Sequence, residues 1–151
     1  NDISEMEKLQ QKAQQAKGDF NNLSSRIQTI DARLKDISAL QKHIGIYSKT
    51  REVYAGYRKA GYSKKHLAEH EDSINAHKAA KKYFDSLGLK KLPTIKTLQT
   101  EYATLSAEKK KLYGEYHPAR KYMQDILTAK QNAEQLLNYR ETEKTKESER
   151  I

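Results

Sequence analysis

Three histidines, His66, His70 and His77, and seven lysines lie within "GYSKKHLAEHEDSINAHKAAKKYFDSLGLKKLP", residues 61–93. Two kinds of chemistry suit such a set: imidazoles ligating a metal ion, and ammonium groups contacting phosphate. His66 and His70 stand at i and i+4 on one helix face, whereas His77 would sit about 10 Å further along the axis, beyond reach of the same ion. With no cysteine and no evident carboxylate set to complete a ligand sphere, no metal is expected. Leu67, Ile74, Ala80, Phe84 and Leu87 define an apolar stripe, and His70 and His77 fall on it. Both are therefore expected to be partly buried, neutral and hydrogen-bonded across helices, with His66 exposed.

The candidate phosphate contacts are Arg58, Lys59, Lys64, Lys65, Lys78, Lys82, Lys90, Lys91 and Lys96. Nothing in the chain offers base readout: there is no zinc finger, arginine-rich recognition helix or aromatic strand pair. Tyr47, Tyr54, Tyr57 and Tyr62 alternate with basic residues, a pattern that suits base stacking, although tyrosines at helical spacing more often fill a core. A solvated basic face and a nucleic-acid contact are both compatible with this composition. Gly-rich phosphate loops, nucleophile elbows and His-Glu-x-x-His motifs are missing. No catalytic residue, cofactor or small-molecule substrate is expected, and this segment is not expected to be an enzyme.

Charge is concentrated in the same region. Of the net +9, residues 1–48 carry +1, residues 49–121 carry +9 and residues 122–151 carry −1. A localised basic surface attracts phosphate or acidic partners through its long-range field. The chain of 151 residues is 36% hydrophobic and 32% charged, with two prolines and no tryptophan, and its mean hydropathy is −1.02. Such a composition favours long, exposed helices over a large core. The lack of cysteine points to an intracellular, cytoplasmic protein, and no apolar run approaches the roughly 20 residues of a membrane span.

Two seams must position the basic block. Met6, Leu9, Ala13, Ala16, Phe20, Leu23, Ile27, Ile30, Leu34 and Ile37 alternate steps of three and four, a heptad pattern that slips to Leu40, Ile44 and Tyr47. Ile95, Leu98, Tyr102, Leu105, Lys109, Leu112, Tyr116, Ala119, Met123, Ile126, Lys130, Ala133 and Leu137 repeat it. The two lysines there can lay their stems along apolar surface. Pro118 interrupts the second seam, and one kinked helix is expected there. Gly61 and Gly88 read as helix-closing glycines, with Ser63 and Thr94 as N-caps.

The predicted fold is all-α: an elongated antiparallel coiled-coil hairpin of two long helices with a small basic helical cap. Its boundaries are 1–47 for the first helix, 48–93 for the cap with a helix over about 64–87, and 94–138 for the second helix. Residues 139–151 are read as a frayed or disordered charged tail.

The strings "VYAGYRKAGYSKKHLAEHE", "HKAAKKYFDSLGLKKLPTIKTLQTEYATL" and "AEKKKLYGEYHPARKYMQDILTAKQNAEQLL" resemble the C-terminal helical region of relaxase/mobilisation nucleases of Gram-positive conjugative and mobilisable elements. The resemblance covers roughly residues 47–138, and the heptads before it are similar to the coiled-coil linker of those proteins. It implies an accessory role in plasmid or transposon mobilisation. The nicking tyrosine and metal-binding histidines of that family belong to an upstream nuclease domain, and none of the histidines or tyrosines here matches their motif. The opening Asn agrees with a portion of a longer protein. Expected partners are DNA, bound without sequence preference, and alternatively a second copy of the chain or a coupling protein of the transfer machinery.

Overall fold

A computed structural model describes residues 2–150, with side chains from Ile3 to Glu149. Every element among them is an α-helix: α1 (Asp2–Lys59), α2 (Lys64–Glu69), α3 (Glu71–Ser86) and α4 (Ile95–Arg150). None is long and apolar enough to cross a membrane.

Helix α1 runs 58 residues because its heptad stripe meets no proline, and its end is written in the backbone. Gly61 donates to Arg58 O and Tyr62 to Tyr57 O, both at 3.0 Å. These bonds form a Schellman turn around Gly61, whose φ of 66° is left-handed. The same turn closes α3 at Gly88, φ 67°, through Gly88 N to Asp85 O and Leu89 N to Phe84 O. Ser63 Oγ accepts from His66 N at 3.4 Å to open α2, and Thr94 Oγ1 accepts from Thr97 N at 3.1 Å to open α4. Both glycines and both caps thus stand where the sequence puts them.

Three expectations are corrected. The stretch read as one helix over 64–87 is two helices, broken at His70, whose φ and ψ of −131° and 32° lie outside the helical region. Its N–H donates to His66 O and Leu67 O, closing α2, while Glu71 and Asp72 set negative charge in the first turn of α3. Acidic groups there favour the helix dipole, so a start at Glu71 has its own local support. Leu87, expected on the apolar stripe, is exposed, since the chain leaves the helix at that residue. Residues 139–149, read as frayed or disordered, lie within α4. No tertiary burial holds them, as all are exposed. Local pairs do: Lys146 to Glu143 at 3.9 Å, with the Thr142 and Thr145 hydroxyls donating to the Asn138 and Glu141 carbonyls.

Helix α4 also passes unbroken through Pro118. The ring removes one backbone donor and leaves the Gly114 carbonyl without its usual partner, one bond in a helix of 56 residues.

The chain divides into two compact units, Asn1–Ile30 with Ala107–Ile151, and Asp31–Ser106. In the first, Ala13, Ala16, Ile27, Ile30 and Leu112 are buried. Phe20 meets Tyr116 at 5.0 Å between ring centroids, and Arg26 lies 3.7 Å from Glu108. In the second, Ile37, Leu40, Ala80, Phe84 and Leu98 form a core drawn from α1, α3 and α4. Arg33 grips Glu101 there in a fork, Nε to Oε1 at 2.6 Å and Nη2 to Oε2 at 3.0 Å. The guanidinium hydrogen bond holds the Glu101 carboxyl below its ordinary value. Both side chains are more than a third exposed, so the pair contributes about 1 kcal/mol or less.

Every residue of the first seam from Met6 to Ile37 is buried or half-buried. The second seam agrees, Lys109 and Lys130 included, apart from the exposed Ile95 and Tyr102. The contrast defines a test. Ile37→Ala should lower unfolding free energy by about 2–5 kcal/mol, the cost of a core cavity. Ile95→Ala, 37% exposed, should cost less than about 1 kcal/mol by the same urea titration. Equal losses would show that Ile37 is not in a packed core.

Candidate functional site

The site grows from one face of α1. His43, Tyr47, Thr50, Tyr54 and Tyr57 follow one another in steps of four and three, continuing the heptad rhythm with rings and a hydroxyl in place of aliphatic side chains. His77 of α3 lies between Tyr47 and Tyr54, at centroid distances of 4.3 and 4.4 Å and interplanar angles of 20° and 18°. His43 stacks on Tyr83 at 3.9 Å, and its Nδ1 donates to Ala39 O at 2.7 Å. His66 stacks on Tyr57 at 6.1 Å.

His77 is buried and its Nδ1 is 2.9 Å from Thr50 Oγ1. The Thr50 hydroxyl has one hydrogen, donated to Ile46 O at 2.7 Å, so Oγ1 accepts from His77 Nδ1–H. This hydrogen count assigns the Nδ1–H tautomer. Burial pushes the His77 pKa down, Lys81 adds to that, and a backbone hydrogen bond at Tyr47 opposes it.

His66 and His70 reverse their expected places. His66 is half-buried, and His70 is exposed. The break at His70 turns α2 away from the line of α3, which swings His70 outward and lays the His66 ring against the α1 backbone. A Cβ at Gly56 would approach His66 Cε1 and Nε2 to 3.4 Å, so glycine keeps that approach easy. His66 Nε2 is buried with no hydrogen-bond partner among the described residues. No group of three or more His, Cys, Asp or Glu side chains that could hold a metal occurs among them.

All nine basic residues named from the sequence are exposed and belong to the Asp31–Ser106 unit. Arg58 and Lys59 end α1, Lys64 and Lys65 open α2, and Lys78 and Lys82 ride on α3. Lys90 and Lys91 lie between α3 and α4, and Lys96 sits in the first turn of α4. Among the described residues none of the nine is in an ion pair. Lys78 stands 5.4 Å over the Tyr57 ring instead. The unit holds fifteen Lys and Arg against eight Asp and Glu, a net +7. Exposed Glu69, Glu71 and Asp72 at the junction of α2 and α3 interrupt this surface.

Sequence reasoning passed over His43 and Thr50, although their heptad spacing with Tyr47 and Tyr54 was available. It also passed over Lys81, exposed on α3. The four tyrosines separate cleanly. Tyr47 and Tyr54 are half-buried and Tyr57 is buried, all within the ring stack, whereas Tyr62 is 57% exposed.

The chain matches no family model, no curated protein and no solved structure.

The lowered His77 pKa sets a direction with pH. The unfolded chain binds the proton near the ordinary 6.5 and the folded one only below it, so stability is full above about 6.5 and falls as pH drops towards the folded value. Urea midpoints of the native protein should therefore decline between pH 7 and 5. His77→Phe, which keeps a ring in the stack and removes the proton site, should decline less. Parallel curves would remove His77 as the titrating group.

Proposed function

We propose that this chain is the non-catalytic accessory part of a DNA relaxase of mobile elements, contacting DNA backbone through the basic surface of its Asp31–Ser106 unit. The observation that carries the DNA contact is the set of nine exposed cations without an ion-pair partner among the described residues. Cations already paired would lose that pairing on meeting phosphate, whereas these only release counterions. The membership in relaxases rests on the resemblance over residues 47–138, and a cytoplasmic location follows from that role.

The arrangement we favour is an antiparallel coiled-coil hairpin carrying a basic cap. Contacts within the first unit support the antiparallel sense: Met6 and Leu9 line a cleft with Ala133 and Leu137, Phe20 meets Tyr116, and Arg26 meets Glu108. Partners on α4 descend in number as those on α1 ascend.

A second reading is a protein-interaction or dimerisation module that docks the relaxase to the transfer machinery. One observation favours it: Leu136, half exposed, lines that same open cleft, and Ile3 and Tyr139 are also more than half exposed. Exposed apolar groups of this kind often mark an interface.

Affinity for a DNA oligonucleotide should fall steeply between low and physiological salt. Reversing Lys64, Lys65, Lys90 and Lys91 to Glu should weaken it at least about tenfold and flatten the salt dependence, with the logarithmic slope losing roughly 0.7–0.9 for each phosphate contact removed. Binding that is absent at low salt, or that ignores salt, would end the DNA reading. Light scattering that reports a monomer at high concentration would end the dimerisation form of the second.

A further inference from the structure

The most exposed of the four tyrosines on the basic block occupies an unusual backbone position. Tyr62 follows Gly61 directly, and both are left-handed, with φ of 61° and 66°. Glycine and asparagine adopt that region easily, while a bulky aromatic does so against its steric preference. The Schellman turn explains part of the choice, since the residue after the glycine commonly touches one at the end of the helix. Tyr62 does so, meeting the buried Tyr57 edge-on at 5.3 Å and 84°. A leucine would supply that contact, yet here a tyrosine is left 57% exposed.

The surroundings of the ring give the excess a use. Ala55, Arg58 and Lys59, at i, i+3 and i+4 near the end of α1, line one shallow groove with Tyr62, which stands just beyond the closing turn. Ala55 adds little bulk to it, and Arg58 and Lys59 supply positive charge with no ion-pair partner among the described residues. Lys64 and Lys65 follow two and three residues after the ring. An aromatic face flanked by cations fits a nucleobase with phosphates on either side. In a duplex the base faces are already occupied by their neighbours, so the ring selects an unpaired base.

We infer that Tyr62 is a stacking platform for an unpaired nucleobase, with Arg58 and Lys59 receiving the adjoining phosphates, so that this surface holds single-stranded DNA in preference to duplex. The inference rests on the proposed DNA contact and adds to it a site and a strand preference. Tyr47, Tyr54 and Tyr57 take no part, being spent in the internal stack.

Fluorescence anisotropy of the whole chain with a labelled oligothymidine, and with a hairpin duplex of equal phosphate number, separates the two levels. Tyr62→Leu keeps the apolar contact to Tyr57, and Tyr62→Asn keeps the left-handed backbone. Either should weaken the oligothymidine complex by about tenfold and leave the hairpin complex within about twofold. Tyr62→Phe should bind like the native chain. Urea midpoints of the Leu and Asn variants close to the native value place the loss in binding and not in folding. Equal losses on both DNAs, or none on either while binding persists, overturn the stacking role and leave the basic contact standing. Failure of the native chain to bind either DNA at low salt overturns both.

Discussion

His77 lies flat between Tyr47 and Tyr54 with its Nδ1 on the Thr50 hydroxyl, and this wedge fastens α3 to α1. Each ring pair is worth about 0.5–1.5 kcal/mol beyond its burial. The hydrogen bond spares a buried imidazole the cost of an unmatched donor. One turn to either side, Ile74 and Ala80 are almost completely buried, so apolar packing continues the attachment that the ring stack begins. Because that face of α3 is committed to α1, Lys78, Lys81 and Lys82 turn outward. The basic surface is thus the reverse side of a packing arrangement.

The same wedge explains why α2 and α3 part at His70. A single straight helix would bring His66, His70, Ile74 and His77 to nearly one face, and all four would then press against α1. The break lets His66 approach the backbone at Gly56 and lets Ile74 and His77 seat independently. Glu71 and Asp72 ease the new start electrostatically, and the same residues plant an acidic corner in the basic surface.

The two units are held differently. In Asp31–Ser106 three helices meet, and Ile37, Ile74 and Leu98 are essentially closed to solvent. In the other, Met6, Leu9, Ala133 and Leu137 are only half-buried, and the end of α4 depends on local ion pairs and hydroxyl bonds to the backbone. Local opening is cheapest where burial is thinnest, so the start of α1 and the end of α4 open at lower cost than the three-helix core. The nine cations and the left-handed Tyr62 belong to the unit with the three-helix core.

Much of the architecture was legible in residue order. The heptad steps named the buried positions of α1 and most of those of α4, because helix pairing rewards apolar groups every three and four residues whatever lies elsewhere. Gly61, Gly88, Ser63 and Thr94 marked helix ends because caps and left-handed turns are satisfied locally. The nine cations were legible as exposed groups, since uncompensated charge stays in water. The break at His70, though Glu71 and Asp72 support it locally, the exchange of burial between His66 and His70, and the burial of Tyr47, Tyr54 and Tyr57 in one ring stack were decided by tertiary structure. Those outcomes depend on which rings meet across helices and on where a backbone can turn between them, and such contacts join residues distant in the chain that no local period encodes.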